Sequence, residues 1–164
     1  GDVRRGSCLP ANSPMFMNTA TTVVEPPDAP SYNRRVLTFS LQSGSNGNSI
    51  YVEADGIKLL FDAGISGLTA QRRMAVHGRD IREVNALIIS HDHVDHIRSA
   101  GIFQRKFGMP IYATKRTLAA TWCNLGRLTD LRHFESGATL EFGSVKVHTV
   151  RTPHDAADGV AFVV

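Results

Sequence analysis

The stretch from Ala86 to Ile97 restricts the fold of this chain more than any other. It reads Ala-Leu-Ile-Ile-Ser-His-Asp-His-Val-Asp-His-Ile, an apolar run followed by three histidines and two aspartates. The apolar run at 86–89 predicts a short buried strand. Because chemically active side chains crowd the end of that strand, we expect a functional site where the chain leaves the sheet.

The spacing of these polar residues predicts metal binding. Residues two apart on an extended chain face the same side, so His91 and His93 can hold one ion between their imidazoles. Asp95 and His96 follow where the chain should turn, with Asp95 placed to cap a helix that begins near His96. These two can face a second ion. Imidazole and carboxylate suit zinc, and also manganese or iron.

The motif His91-Asp92-His93-Val94-Asp95-His96 matches the His-x-His-x-Asp-His signature, and the chain therefore resembles the metallo-β-lactamase superfamily. The resemblance implies an α/β fold, the αβ/βα sandwich, with one or two metal ions and a metal-bound hydroxide that attacks an ester, amide or phosphodiester. Two upstream stretches, 43–48 (Ser-Gly-Ser-Asn-Gly-Asn) and 60–64 (Leu-Phe-Asp-Ala-Gly), are similar to the YycJ (WalJ) branch, whose members are regarded as DNA nucleases. The likeness runs from about Val36 to Val164.

The resemblance also implies two site residues outside the motif. In the family, an aspartate at the position of Asp62 supports a metal-ligand histidine, and a carboxylate can fix the ring and its tautomer. The alternative is a turn aspartate before Gly64. A histidine after a later strand completes a three-histidine site with the first two, and His154 occupies that place. Three protein ligands leave an open position for water. Asp155 either orients the His154 ring or caps a turn.

The remaining pattern predicts a layered α/β domain. Closely spaced strands at 36–41, 49–54 and 58–62, joined by glycine turns, predict an antiparallel meander. The 43–48 loop is either a hairpin turn that needs glycine or a rim loop that offers N–H groups to a substrate. Strands and helices then alternate: a helix over 68–77, the motif strand, a helix from His96 to about 107, a strand at 109–113, a helix from Thr114 to about Leu125, a hairpin of 138–142 with 145–150, and a strand from 159.

Two side-chain placements accompany these helices. Leu68, Ala75 and Val76 are expected to face the core from the helix over 68–77. Trp122 is expected in the core rather than as a platform on which a nucleic-acid base stacks.

The two ends of the chain differ from its middle. Residues 1–34 contain five prolines among Asn, Ser and Thr, which predicts a disordered or loosely attached leader before a domain at 35–164. A full superfamily member has a second α/β half that supplies a bridging aspartate and a further histidine, and neither has a match here. We therefore expect the N-terminal half plus the start of the second half, completed by a missing C-terminal half or a partner chain.

Composition sets the remaining expectations. The net charge is +3, with fourteen arginines against four lysines, and the planar guanidinium suits phosphate recognition. Charge alone leaves nucleic-acid contact open, because scattered arginines are usually a solvated face. No apolar run approaches membrane-span length and no secretory segment is evident, which predicts a cytoplasmic protein without membrane contact. Cys8 and Cys123 are expected to be free thiols.

Together these features predict a metal-dependent hydrolase, specifically a phosphodiesterase or DNA exonuclease. His91, His93 and His154 would hold one ion and Asp95 and His96 a second. The ions would be one or two Zn²⁺, with Mn²⁺ as an alternative. Asp95 would orient the attacking hydroxide and take its proton. Two alternatives stay open: a hydrolase of a lactone, thioester or β-lactam on the same site, or an inactive truncated copy that binds metal.

Overall fold

A six-stranded mixed sheet carries the motif strand near its centre. A computed structural model describes residues 35–164, so the predicted leader and Cys8 lie outside the described residues. The strands of this sheet, in both chain order and spatial order, are β1 (Val36–Gln42), β2 (Ser49–Ala54), β3 (Ile57–Phe61), β4 (Ala86–Ile88), β5 (Ile111–Ala113) and β6 (Leu131–His133). A second, three-stranded sheet consists of β7 (Thr139–Phe142), β8 (Val145–Arg151) and β9 (Val160–Val163).

The pairing changes direction within the large sheet. β1, β2 and β3 form the predicted antiparallel meander. β3, β4, β5 and β6 are parallel, and parallel neighbours require crossover connections. The helices occupy these crossovers: α1 (Gly67–Val76), α2 (Val94–Ile97), α3 (Ala100–Phe107) and α4 (Lys115–Ala120). The carboxyl ends of the parallel strands therefore share one edge, where the motif begins.

The central strands of the large sheet, β3 and β4, are buried on both faces. Side chains alternate across a strand, so Leu87 joins the cluster under the helices with Met74 and Phe103, whereas Ile88 joins the cluster between the two sheets with Val147. Each fully buried side chain of this kind contributes about 1.5–3 kcal/mol. The two clusters fix β4, and hence the residues that follow it, from both sides.

The helix after the motif differs from the sequence prediction. The chain forms two helices, α2 and α3, rather than one continuous helix from His96. His93 is the N-cap of α2, so the prediction that Asp95 caps this helix was wrong, and Asp95 lies in the first turn. The break follows from a tertiary contact, because the N–H of Ser99 donates to the carbonyl of Ala63 at 2.9 Å.

The buried side of α1 was also predicted wrongly in part. Ala70 and Met74 are buried together with Gly67, and this stripe follows helical spacing. Leu68, Ala75 and Val76, which we expected in the core, are all exposed. Gly67 explains the orientation, since a side-chain carbon added there would lie 3.2 Å from the ring of Phe107.

The helix after β5 is shorter than predicted. Thr114 is its N-cap as expected, and its side chain accepts from the N–H of Thr117, but α4 ends at Ala120 rather than near Leu125. Trp122 lies beyond that end and is 81% exposed, so its predicted place in the core was wrong. The predicted hairpin of β7 and β8 is confirmed.

The longest described helix has ten residues. Within residues 35–164, no helix combines the length and the apolar character that crossing a membrane requires.

Candidate metal centre

Three histidines meet at the carboxyl edge of the parallel strands. His91 and His93 follow β4, and His154 lies in the loop between β8 and β9. One ring nitrogen from each lies within 4.8 Å of the others. The ring centroids are 4.7 Å apart for His91 and His93, 4.8 Å for His91 and His154, and 4.9 Å for His93 and His154. The structure thus brings the three predicted ligands of the first ion into one cluster.

His91 is the buried member of this cluster, with 5% of its surface exposed. Its Nδ1 lies 2.7 Å from Ser90 Oγ, whereas its Nε2 is buried without a hydrogen-bond partner among the described residues. Buried polar atoms almost always have a partner. Burial, followed by the nearby charge of His96, lowers the pKa of His91 to about 4. The neutral ring therefore has a lone pair to offer, which is the form that a metal ligand requires.

Asp62 connects two of the motif histidines. Its Oδ1 accepts from the N–H of Ser90 at 2.8 Å, and its Oδ2 accepts from Ser90 Oγ at 2.8 Å. The same Oδ2 lies 2.7 Å from His96 Nδ1. Asp62 thus contacts His96 directly and reaches His91 through the hydroxyl of Ser90. With a φ of 65°, Asp62 also occupies the left-handed region that few non-glycine residues adopt.

The electrostatics of His96 follow from these contacts. Burial lowers the pKa of His96, but the hydrogen bond to Asp62 and the charges of Asp62 and Asp95 outweigh burial and hold the pKa above its ordinary value. When Nδ1 donates to Asp62, Nε2 carries the lone pair of the neutral ring and faces Asp95, whose Oδ2 lies 3.5 Å away. Asp95 and His96, the residues predicted to face a second ion, therefore lie next to each other, with the His96 ring 4.0 Å from that of His91.

Asn48 is a site residue that the sequence analysis did not single out. Its Nδ2 donates to Asp95 Oδ2 at 2.9 Å and lies 3.0 Å from His96 Nε2. Its N–H donates to the carbonyl of Asp95 at 2.7 Å. The signal was present in the sequence, because Asn48 closes the glycine-rich 43–48 loop, but only the structure shows that its side chain turns towards the motif.

The 43–48 loop approaches the motif closely through its own turn and a neighbouring glycine. The N–H of Gly47 donates to the carbonyl of Gly44 at 3.0 Å, which closes a turn. Gly64 allows the approach, since a side-chain carbon there would lie 1.6 Å from the carbonyl oxygen of Asp95. The loop is therefore a tight turn, and it also packs directly against the metal-binding motif.

His154 belongs to the exposed side of the cluster. The N–H of Asp155 donates to His154 Nδ1 at 2.9 Å, and the carboxylate of Asp155 contacts the same nitrogen. The carbonyl of Asp155 lies 3.2 Å from His93 Nε2. Asp92, the second residue that the sequence analysis missed, accepts from the N–H of Ala157 at 3.0 Å. Asp92 thereby ties the His154 loop to the motif.

The donor set suits a divalent transition metal. Three imidazole nitrogens at close range, one of them buried and unpartnered, match the ligands that zinc takes in catalytic sites. Ser90 also gives the His91 ring, and Asp62 the His96 ring, the outer hydrogen bond that ligand histidines normally have. The residues present therefore fit a metal ion.

A family comparison identifies the group to which this site belongs. A profile described as the metallo-beta-lactamase superfamily matches residues 43–162. The chain belongs to the metallo-β-lactamase superfamily. This membership confirms the family predicted from the motif.

Curated relatives support the predicted branch of the superfamily. The chain is 39% identical over 120 residues to exodeoxyribonuclease WalJ of Streptococcus pneumoniae serotype 2 (strain D39), covering 71% of this chain and 45% of that protein. It is 38% identical over 125 residues to exodeoxyribonuclease YycJ of Bacillus anthracis, covering 74% and 47%. The chain thus spans about half the length of these relatives.

Solved structures confirm the predicted fold class. Rm3 metallo-beta-lactamase aligns with a TM-score of 0.65 at 20% identity, covering 76% of this chain and 52% of that one. A motif mutant of the metallo-beta-lactamase from Cronobacter sakazakii also gives 0.65, at 16% identity, covering 76% and 55%. At this identity the likeness concerns the fold.

Proposed function

We propose that this protein is a metal-dependent hydrolase that cleaves phosphodiester bonds of DNA as an exonuclease. The observation that carries the proposal is the buried, unpartnered Nε2 of His91 beside His93 and His154. The similarity to relatives named exodeoxyribonuclease supports DNA as the substrate. We further propose that residues 35–164 form the metal-binding domain, that a C-terminal half or a partner chain completes the site, and that the protein works in the cytoplasm.

In this proposal His91, His93 and His154 hold one ion. Asp95 and His96 hold a second, with further ligands from the proposed C-terminal half or partner chain. Zinc suits the imidazoles, and manganese is the alternative. When bound, the metal would lower the pKa of a water molecule to about 7 and would stabilise charge on the phosphate oxygens.

The protein's own groups orient the ligands and move the proton. Ser90 Oγ contacts His91 Nδ1 and Asp62 contacts His96 Nδ1, so that in each ring Nε2 is left to face the metal. Asp95 orients the attacking water and accepts its proton through a carboxylate oxygen. Asn48 donates to that carboxylate and keeps it beside His96.

Metal analysis and DNA hydrolysis test the proposal together. The wild-type protein, purified without chelators, is expected to contain metal and to shorten end-labelled linear DNA. His91→Ala and His154→Ala are expected to lose bound metal and to lower the rate at least about 100-fold, because even the outer partners of metal ligands account for 10–100-fold. His148→Ala is the matched control, since His148 is exposed on β8 and contacts Thr139 instead of the cluster.

Two results would contradict the proposal. Equal metal content in the wild type and in His91→Ala would show that the three histidines do not bind the metal. If the metal-loaded protein hydrolyses a β-lactam or a lactone but leaves linear and nicked DNA intact, the substrate is a small molecule and not DNA.

A further inference from the structure

The chain following Asp95 is a basic segment without acidic residues. Residues 96–129 contain no Asp or Glu but four arginines and two lysines, whereas the whole chain has a net charge of only +3. None of the six pairs with a carboxylate among residues 35–164. The segment therefore presents positive charge that the described part of the protein does not neutralise. The six residues are Arg98, Arg105, Lys106, Lys115, Arg116 and Arg127.

Trp122, the only tryptophan of the sequence, lies within this segment and points outward. Its neighbours Cys123 and Leu125 are partly buried and pack against the helix-side core. Burial alternates from 121 to 126, so the largest apolar side chain of this stretch faces away from the core. An indole is large enough to dominate an interface, and at 81% exposure this one is accessible to a planar ligand.

The loop that carries Trp122 is fixed to α3. Arg105 Nη1 donates to the carbonyl of Leu125 at 2.9 Å. The buried Gln104 accepts from the N–H of Thr129 at 2.7 Å and donates to the carbonyl of Asp130 at 2.6 Å. A side-chain carbon at Gly101 would lie 1.8 Å from that Leu125 carbonyl, so glycine permits this close packing. An ordered platform loses little conformational entropy when a ligand binds.

The basic segment borders the metal centre. β5 lies beside β4 in parallel, so the start of α4, with Lys115 and Arg116, lies at the same sheet edge as His91. Thr117 Oγ1 donates to the carbonyl of Asp158 at 3.4 Å, which joins α4 to the end of the His154 loop. The six residues of α4 cover about 9 Å, and Trp122 follows directly after them.

We propose that Trp122, Lys115, Arg116 and Arg127 form a docking surface for single-stranded DNA that leads to the three-histidine site. One unpaired base stacks on Trp122, while the basic side chains contact phosphates on either side. Stacking on an aromatic platform in a basic groove requires an unpaired base and tolerates any sequence. The inference rests on the proposed function, because it assigns the form in which DNA reaches that site.

Because Trp122 is the only tryptophan, its fluorescence reports on the proposed contact directly. A ten-nucleotide oligothymidylate is titrated into the protein after its bound metal has been removed with a chelator, so that the DNA is not cleaved. We expect the fluorescence to be quenched with saturation. Labelled-DNA anisotropy should then show affinity lowered about 5- to 150-fold in Trp122→Ala, the range found for loss of one stacked base, and within about threefold of wild type in Trp122→Phe.

Charge variants test the phosphate contacts. Arg116→Ala should weaken binding and reduce the slope of log affinity against log salt by about 0.7, the value for one phosphate contact on a single strand. Arg72→Ala is the matched control, because Arg72 is an exposed arginine on α1, outside the basic segment. Circular dichroism of each variant verifies that the fold is retained.

The proposal is overturned if the fluorescence is unchanged at saturating DNA, if Trp122→Ala binds within twofold of the wild type, or if a duplex of equal length binds more tightly than the single strand. Phosphodiester hydrolysis by metal-loaded wild-type protein is measured separately. If the wild type hydrolyses DNA but Trp122→Ala binds DNA as tightly as the wild type, the proposed function is supported and the docking surface is rejected. If DNA quenches the fluorescence and the affinity depends on Trp122 but no DNA is hydrolysed, the exonuclease activity is rejected and the single-strand-binding surface is supported.

Discussion

The candidate metal centre has two unlike sides. On the strand side, His91 is buried at the end of β4, and its ring nitrogen is held by Ser90, which is in turn held by Asp62. On the loop side, His154 has 43% of its side chain exposed and is held by its neighbour Asp155. One side is thus part of the folded core, whereas the other is a surface loop.

The difference teaches how such a site is assembled. The strand side is positioned by the two hydrophobic clusters that bury β4, so its geometry is fixed at the same time as the fold. The loop side is attached by few contacts, among them the hydrogen bond from Ala157 to Asp92. Sparse contacts mean low local stability. We therefore expect a bound ion to order the loop side more than the strand side.

Hydrogen exchange with and without metal provides the sharpest comparison. At a zinc concentration about 100 times the dissociation constant, the amides of Asp155 and Ala157 should exchange up to about 100-fold more slowly, because any opening that releases the ion must overcome its binding. The amide of Ser90, which already donates to buried Asp62, should change little. Amides of β1 and β2 serve as the internal control. If metal slows exchange equally on the strand side and the loop side, the expectation that the ion mainly orders the loop side is wrong.

Replacing Asp62 tests the strand side. In Asp62→Asn, an N–H₂ replaces the oxygen that faces both Ser90 Oγ and His96 Nδ1. This N–H₂ group would face the N–H at Nδ1 of His96 and so disfavour the tautomer in which Nε2 can bind metal. We therefore expect metal affinity to fall about 10- to 100-fold, as measured by competition with a chelating dye.

Asp55→Asn is the matched control for this change. Asp55 is the other described non-glycine residue with a positive φ, and its carboxylate contacts Ser144 instead of the metal centre. An equal loss of affinity in both variants would attribute the effect to backbone conformation rather than to the carboxylate.

Replacing Asp92 tests the loop side and should have the smallest effect. Asp92→Ala removes the acceptor for the N–H of Ala157, and loss of one such hydrogen bond corresponds to about a 2- to 10-fold decrease in metal affinity. Asp92→Asn keeps an acceptor oxygen and should stay within about twofold of the wild type. If both variants bind metal as the wild type does, Asp92 does not hold the His154 loop.

The local patterns of the sequence were sufficient for much of the fold. The meander, the motif strand and the β7–β8 hairpin follow from alternation and turn residues within a few positions of one another. The orientation of α1 and the end of α4 did not follow, because they depend on which face meets the core. Trp122 is the clearest case: its size predicts burial, but the loop continues along α3 with Cys123 and Leu125 turned inward instead.

By itself, the sequence determined the chemistry of this protein: a cluster of imidazoles and carboxylates after a buried strand, in a spacing that identifies its superfamily. The family resemblance predicted His154, but only the tertiary structure decided how the distant groups meet. It placed His154 beside His91, 63 residues earlier, turned Asn48 towards Asp95 and His96, and tied Asp92 to the His154 loop. The physical reason is range, since spacing along one strand fixes neighbours within a few residues, whereas contacts between separate loops arise from the packing of the two sheets.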